Sequence, residues 1–202
     1  YKLYLDDEYI GGIYKKDFEK VGIYLNESDL SSDNITGNDF YIENVSEESL
    51  IGIRDIIFER AYNKAVGYLS VSECSAEMIR SKLKLKGVAD YVIDDVIQVL
   101  YEYRYLDDER FVENYTRIYI RSKSRHLIEI EIEERGVDVS KYSDVIDNVY
   151  EDENVTEGDV IKELLLKKYK NQNLEDIKIK RRAISFLYRH GFSYDMINNY
   201  LT

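Results

Sequence analysis

From about residue 46 onward the apolar positions of this chain recur with helical spacing. Leu50, Ile53, Ile57, Ala61, Ala65 and Leu69 fall on one face. Ser46, followed by Glu47 and Glu48, suits the start of that helix. Its hydroxyl can accept from an unpaired N–H, and the carboxylates suit the positive end of the helix dipole. The spacing predicts one long helix to about Leu69. Ahead of it the pattern is different. Tyr1 to Leu5 alternates weakly, Asp6-Asp7-Glu8 reads as a turn, and Tyr9 to Tyr14 is a second β-prone run, so a hairpin is expected. Val21 to Leu25 reads as a further β-prone piece, and the polar stretch Asn26 to Asp39 as a loop. A lone hairpin is marginal in water. A strand lost ahead of Tyr1, which is not an initiator Met, is therefore expected to complete it.

Beyond residue 61 three glycines punctuate the pattern, each followed by an apolar residue: Gly87-Val88, Gly136-Val137 and Gly191-Phe192. Four residues before them stand Leu83, Ile132 and Leu187, eight before stand Ile79, Ile128 and Ala183, and one before stand Lys86, Arg135 and His190. That is one helical face, ending in a cationic or potentially cationic residue and then a glycine able to take the left-handed closing conformation. Ile93 with Ile97, Tyr142 with Ile146, and Ile197 with Leu201 follow as the start of a next helix. With the tail of the long helix, Asp108 to Arg121 and Gly158 to Lys170 as leading helices, the unit is three helices, repeated three times. Such self-similarity signals a stacked array. The expected fold is mostly α, three tandem three-helix units in an elongated curved array, preceded by a small N-terminal β-hairpin segment. Its divisions are 1–45 for the hairpin and loop, 46–106 for the linking helix and first unit, 107–156 for the second unit and 157–202 for the third.

The joint between the first two units is Tyr105-Leu106-Asp107-Asp108-Glu109-Arg110-Phe111. Asp107 or Asp108 can cap the following helix, and Phe111 would open an apolar stripe continued by Tyr115 and Ile118. Tyr105 and Phe111 are expected to pack between the units.

Composition narrows the function. A net charge of −12 argues against coating nucleic acid through a general positive field. The sign is uneven: residues 1–60 hold 6 Lys and Arg against 14 Asp and Glu, residues 61–156 hold 13 against 20, and residues 157–202 hold 9 against 6. Only the last quarter is basic. The 20 tyrosines accompany many Ile, Lys, Asn and Asp along the whole chain and read as compositional bias. The single cysteine, Cys74, excludes an intrachain disulfide, and the absence of a signal-peptide pattern or a long apolar run suggests a cytoplasmic monomer without membrane contact.

At Lys82-Leu83 with Lys86-Gly87-Val88, at Tyr105 to Phe111, at Arg135-Gly136-Val137 and at Arg189-His190-Gly191-Phe192 the chain resembles the RecX family, bacterial regulators of the RecA recombinase. The resemblance spans about residues 61 to 202 and is most specific at the acidic joint. It implies three tandem three-helix units and a protein that binds the RecA filament on single-stranded DNA. It also implies limits on filament growth, ATP hydrolysis and strand exchange, while the acidic total of the chain leaves single-stranded DNA met indirectly or weakly.

No catalytic site is expected. The chain has neither G-x-x-x-x-G-K-[ST] nor G-x-G-x-x-G to hold phosphates. His126, His190 and Cys74 have no metal-ligand spacing, and adjacent pairs such as Asp94-Asp95 diverge by about 100° on a helix. Neither cofactor nor metal is expected. Two basic stripes are the contact candidates. In the third unit Lys178, Arg181, Arg182 and Arg189 fall at i, i+3, i+4 and i+11, beside an apolar face of Ile179, Ala183, Phe186 and Leu187. In the second unit Arg110, Arg117 and Arg121 share a face, extended by Lys123 and Arg125. Such faces can meet phosphates or the acidic rim of a protein. Glu113, four residues before Arg117, can neutralise part of the second stripe. Direct binding of single-stranded or duplex DNA is the alternative function, and a helical scaffold for another partner a third.

Overall fold

The computed structural model describes residues 1–5, 8–23, 35–36, 39–42 and 45–201. The chain divides into two compact units, Tyr1–Leu106 and Asp107–Thr202.

The first unit opens on a four-stranded sheet. Strand β1 (Lys2–Leu5) pairs antiparallel with β2 (Glu8–Gly12) and parallel with β4 (Asp39–Ile42), and β3 (Ile35–Thr36) closes the order β2-β1-β4-β3. The hairpin is formed as expected. Its stabilising neighbour, however, comes from downstream: β4 lies beside β1 with Leu3 opposite Phe40, and both side chains are buried. Part of the stretch read as a loop is therefore strand, and Asn26 to Asn34 with Gly37 and Asn38 lies outside the described residues. Of the expected strand at Val21 to Leu25, Tyr24 and Leu25 lie outside the described residues, and the rest is corrected. Lys15–Lys20 is a short helix, α1, and Val21-Gly22 is its closing turn, with Gly22 at φ 75° and the Ile23 N–H donating to the Phe18 carbonyl at 2.8 Å. One buried aromatic, Phe18, anchors this helix to the sheet through a ring contact of 5.0 Å with Phe40.

Helix α2 (Glu47–Leu69) begins where the sequence places it: the Ser46 hydroxyl accepts from the Ser49 N–H at 3.1 Å. Ile53, Ile57, Ala61 and Ala65 are buried along it, and it packs on β2 and α1 as well as on α3 (Ala76–Lys84) and α4 (Asp90–Glu102). Each fully buried Ile or Leu of this core contributes roughly 1.5–3 kcal/mol.

The second unit holds two further trios. Helices α5 (Asp108–Tyr119), α6 (Arg125–Glu133) and α7 (Ser143–Asp152) form one, with a 3-10 turn at Val139–Tyr142 before α7. Helices α8 (Glu157–Tyr169), α9 (Ile177–Arg189) and α10 (Tyr194–Leu201) form the other.

The three glycines close their helices identically. Gly87, Gly136 and Gly191 have φ of 73°, 81° and 87°. The N–H after each donates five residues back, Val88 to Leu83, Val137 to Ile132 and Phe192 to Leu187, at 3.2, 3.4 and 3.3 Å. Each carbonyl that accepts belongs to the buried apolar residue of the repeat, so the last turn is satisfied and anchored together.

Candidate interaction face

At the joint Asp107 is the cap, accepting from the Arg110 N–H at 3.0 Å, and Asp108 sits in the first turn. Phe111 is buried and stacks on Tyr115 at 5.9 Å. Two expectations change. Ile118 is 69% exposed, because the buried arc of α5 is centred on Val112, Tyr115 and Thr116 and leaves Ile118 at its margin. Tyr105 is 44% exposed, and it is Leu106 that enters the core of the first unit.

The two basic stripes differ in what they touch. In the second repeat the guanidinium of Arg117 reaches Glu113 at 3.0 Å and Glu153 at 2.9 Å, with Asp152 at 3.8 Å. Hydrogen bonds to Glu113 and then Glu153 push its pKa further up. Arg121 meets Glu163 at 3.5 Å and Glu153 at 3.7 Å. Arg125 binds Glu129 at 2.7 Å, Asp147, and the Ser143 hydroxyl at 3.2 Å. Lys123 pairs with Glu131 and lies 3.9 Å from the centre of the Tyr119 ring. Glu131 also accepts from the Tyr115 hydroxyl at 2.5 Å. Burial pushes the Glu131 carboxyl up, but hydrogen bonds from Lys123 and Tyr115 with the charges of Lys123 and Arg135 outweigh it and hold the group below its ordinary value. Arg110 is half-buried and also has an interaction within the chain.

The third repeat is the opposite case. Lys178, Arg181, Arg182 and Arg189 are all exposed along α9, and among the described residues no carboxylate lies within ion-pairing distance of them. Ala183 and Leu187 bury the other side of the same helix. Asp176 caps α9 with its carboxylate on the Lys178 and Ile179 backbone N–H groups, so that carboxylate is engaged with the backbone. Tyr188, 66% exposed, stands within the same face. The sequence reading passed over it, although its place seven residues after Arg181 puts it beside that stripe.

His190 and Gly191 join the third repeat to the second. The His190 carbonyl accepts from the Ser124 N–H at 2.8 Å, and the His190 Nδ1 lies 2.5 Å from the Ser122 carbonyl. A Cβ on Gly191 would stand 2.4 Å from both the Leu127 Cβ and the Ser124 Oγ. Glycine is needed there for space as well as for its backbone angle. Gly87 differs: its nearest neighbour to a built Cβ is the Tyr9 hydroxyl at 3.8 Å, and that hydroxyl donates to the Gly87 carbonyl.

Comparison with known proteins decides the family. Residues 61–100 match the model of the first three-helix domain of RecX, and residues 156–201 the model of its third. The chain is 30% identical over 196 residues to the regulatory protein RecX of Bacillus velezensis, covering 91% of this chain and 72% of that protein. The chain belongs to the RecX family. It is also 26% identical to the regulatory protein RecX of Clostridium perfringens, over 93% of this chain and 91% of the relative. Among solved structures, a crystal structure of a regulatory protein RecX aligns at a TM-score of 0.59 and 20% identity, over 96% of this chain and 90% of the other. RecX from Lactobacillus salivarius aligns at 0.51 and 19%, over 72% of this chain and 94% of the other. At those identities the likeness speaks for the fold, which is the helical-repeat fold of RecX with a small sheet before it. No helix among the described residues is long and apolar enough to cross a membrane.

Proposed function

We propose that this RecX-family chain is a regulator that binds the RecA nucleoprotein filament and inhibits its growth, ATP hydrolysis and strand exchange, acting by binding rather than by catalysis. In this reading its parts are residues 1–45, 46–106, 107–156 and 157–202, it works as a cytoplasmic monomer, and α9 supplies the principal contact. Family membership supports the partner. The observation that carries the choice of face is the set of uncommitted cations on α9, Lys178, Arg181, Arg182 and Arg189, in a chain whose other basic stripe is spent on its own carboxylates. An uncommitted cation can exchange water for a partner's carboxylate or phosphate without first breaking an internal pair. Titrating the protein into DNA-dependent ATPase and strand-exchange reactions of the cognate recombinase tests the reading. Inhibition near stoichiometric amounts is expected, and none at several-fold excess would overturn it.

Direct binding of single-stranded or duplex DNA is the second reading, and the exposed Tyr188 among cations is what favours it, since a ring beside basic groups can stack a base. A salt-titrated binding assay without recombinase separates the two. Nanomolar affinity near physiological salt supports direct DNA action, and weak binding supports the protein-directed one.

A further inference from the structure

Helix α2 has a groove on each of two sides, and the grooves are oppositely charged. One, of about 440 Å³, runs along α4 and is lined by Asp55, Asp95 and Glu102 with Arg54 as its only cation. The other, of about 410 Å³, lies between α2, the end of β2 and the Gly87 turn, and is lined by Arg60, Lys64 and Lys86 with no carboxylate among its lining residues. The second is unexpected in a segment where acidic residues outnumber basic ones so heavily.

Arg60 is held in place from below. Asp17 is fully buried, and its Oδ2 accepts from the Arg60 guanidinium at 2.5 Å and from the Tyr14 N–H at 2.9 Å. The guanidinium carbon stands 4.5 Å from the centre of the Tyr14 ring, which is itself 63% exposed. A flat cation is thus fixed between a buried carboxylate and one face of an exposed ring. Lys64 follows one helical turn later, and Lys86 is presented by the Gly87 turn. Both are exposed, and among the described residues neither has a carboxylate within ion-pairing distance. Ile13, Ile57 and Ala61 form an apolar floor between them.

We infer that this groove binds single-stranded nucleic acid, with Lys64 and Lys86 on the phosphodiester backbone and Tyr14, one face of its ring backed by Arg60, as the surface on which a base stacks. Cations alone would suit any polyanion. The open ring beside a preset guanidinium and the apolar floor select a ligand that carries planar, apolar-faced groups at the spacing of its charges, which a carboxylate-rich peptide lacks. A base that stacks on the ring must leave its own base stack, which favours a single strand over a duplex. The acidic groove on the other side of α2 repels the same strand and restricts it to one path. Asp17 acts here as a positioning residue through Arg60. The site lies in the first unit, whereas α9 belongs to the second, and the assignment does not depend on the filament reading.

The test uses the full chain, without recombinase, and a short fluorescein-labelled oligothymidylate followed by anisotropy across a salt titration. Wild-type protein is expected to bind measurably at low salt. Lys64→Glu with Lys86→Glu, both at exposed positions, should weaken binding at least about tenfold and lower the log–log salt slope by about 1.4, at about 0.7 per phosphate contact on a single strand. Tyr14→Ala should weaken it about fivefold or more with the slope unchanged, the signature of a lost stack rather than a lost charge. Circular dichroism of each variant should match the wild type. Absence of binding by the wild type, unchanged binding by the double variant, or displacement of the oligonucleotide by polyglutamate at equal charge concentration would each overturn the assignment.

Discussion

The second and third repeats carry similar numbers of basic residues and put them to opposite uses. In the second, Arg117, Arg121, Lys123 and Arg125 terminate on Glu113, Glu153, Glu163, Glu131, Glu129 and Asp147, so the charge is turned inward. In the third, Lys178, Arg181, Arg182 and Arg189 line one exposed side of α9 and meet no carboxylate among the described residues. Counting cations on a helical face would rank the two equally. What separates them is where the carboxylates of other helices arrive, and that is a property of the fold.

The strongest way to break this comparison is charge reversal. Lys178→Glu, Arg181→Glu and Arg182→Glu together should weaken inhibition of the recombinase on the order of 100-fold at low salt, and less as salt rises, because three attractive contacts become repulsive. Reversing Arg110 and Arg117 should do far less. Equal losses, read from inhibition curves of the two variants, would show that the stripes are not different in kind.

Next in size is a pair of glycines. Gly191→Ala forces a Cβ to 2.4 Å from Ser124 and Leu127 at a φ of 87° and should cost about 2–4 kcal/mol in denaturant unfolding. Gly87→Ala meets only the strained backbone angle and should cost about 1 kcal/mol. If the two costs matched, the tight seam at Gly191 would be wrong.

Third comes the joint. Asp107→Ala should lose about 1 kcal/mol with the cap, and Asp108→Ala a few tenths, about 0.3 kcal/mol, for the first-turn charge. Loss of inhibition by Asp107→Ala at unchanged stability would instead make the joint a contact surface. A smaller effect is expected from Arg117→Ala: an exposed network loses one member, the unfolding midpoint moves little, and inhibition stays within about twofold. The subtlest is acid sensitivity. Glu131 is held below its ordinary value of 4.5, so its contribution is present above that pH and is lost as pH falls through the lower folded value. Unfolding followed from pH 6 to about 3 should show a flatter dependence for Glu131→Gln than for the wild type.

Much of this fold is legible in the sequence because it is encoded locally. A Schellman closure depends on about six consecutive residues, so Leu83 to Val88, Ile132 to Val137 and Leu187 to Phe192 could be read directly, as could the Ser46 cap and the stripe of α2. What escaped was encoded at a distance or without its usual residue. Helix α1 has one apolar residue, Phe18, and no period. β4 is a strand because β1 accepts it in parallel, which Asp39–Ile42 cannot announce alone. Arg104 and Asn154, at φ of 57° and 46°, close α4 and α7 in the left-handed conformation without the glycine that would have marked them. The residues of the basic stripes lie on or just after helices α5 and α9, and Glu113 was legible as a partner of Arg117 through its i,i+4 spacing. Glu153 and Glu163, which lie 36 and 42 residues from the arginines they bind, were not.

Helix α2 carries a consequence for anyone who would dissect this protein. The family model of the first three-helix domain begins at residue 61, yet the helix that supplies that domain starts at Glu47 and buries Ile53 and Ile57, the latter within 3 Å of where a side chain on Gly11 of the sheet would begin. A fragment trimmed to residue 46 would bare those isoleucines, and one trimmed to 61 would cut a continuous helix in its middle. Either should aggregate on expression. The N-terminal sheet is in that sense a lid on the spine of the first repeat, and the compact unit that keeps the two together is Tyr1–Leu106.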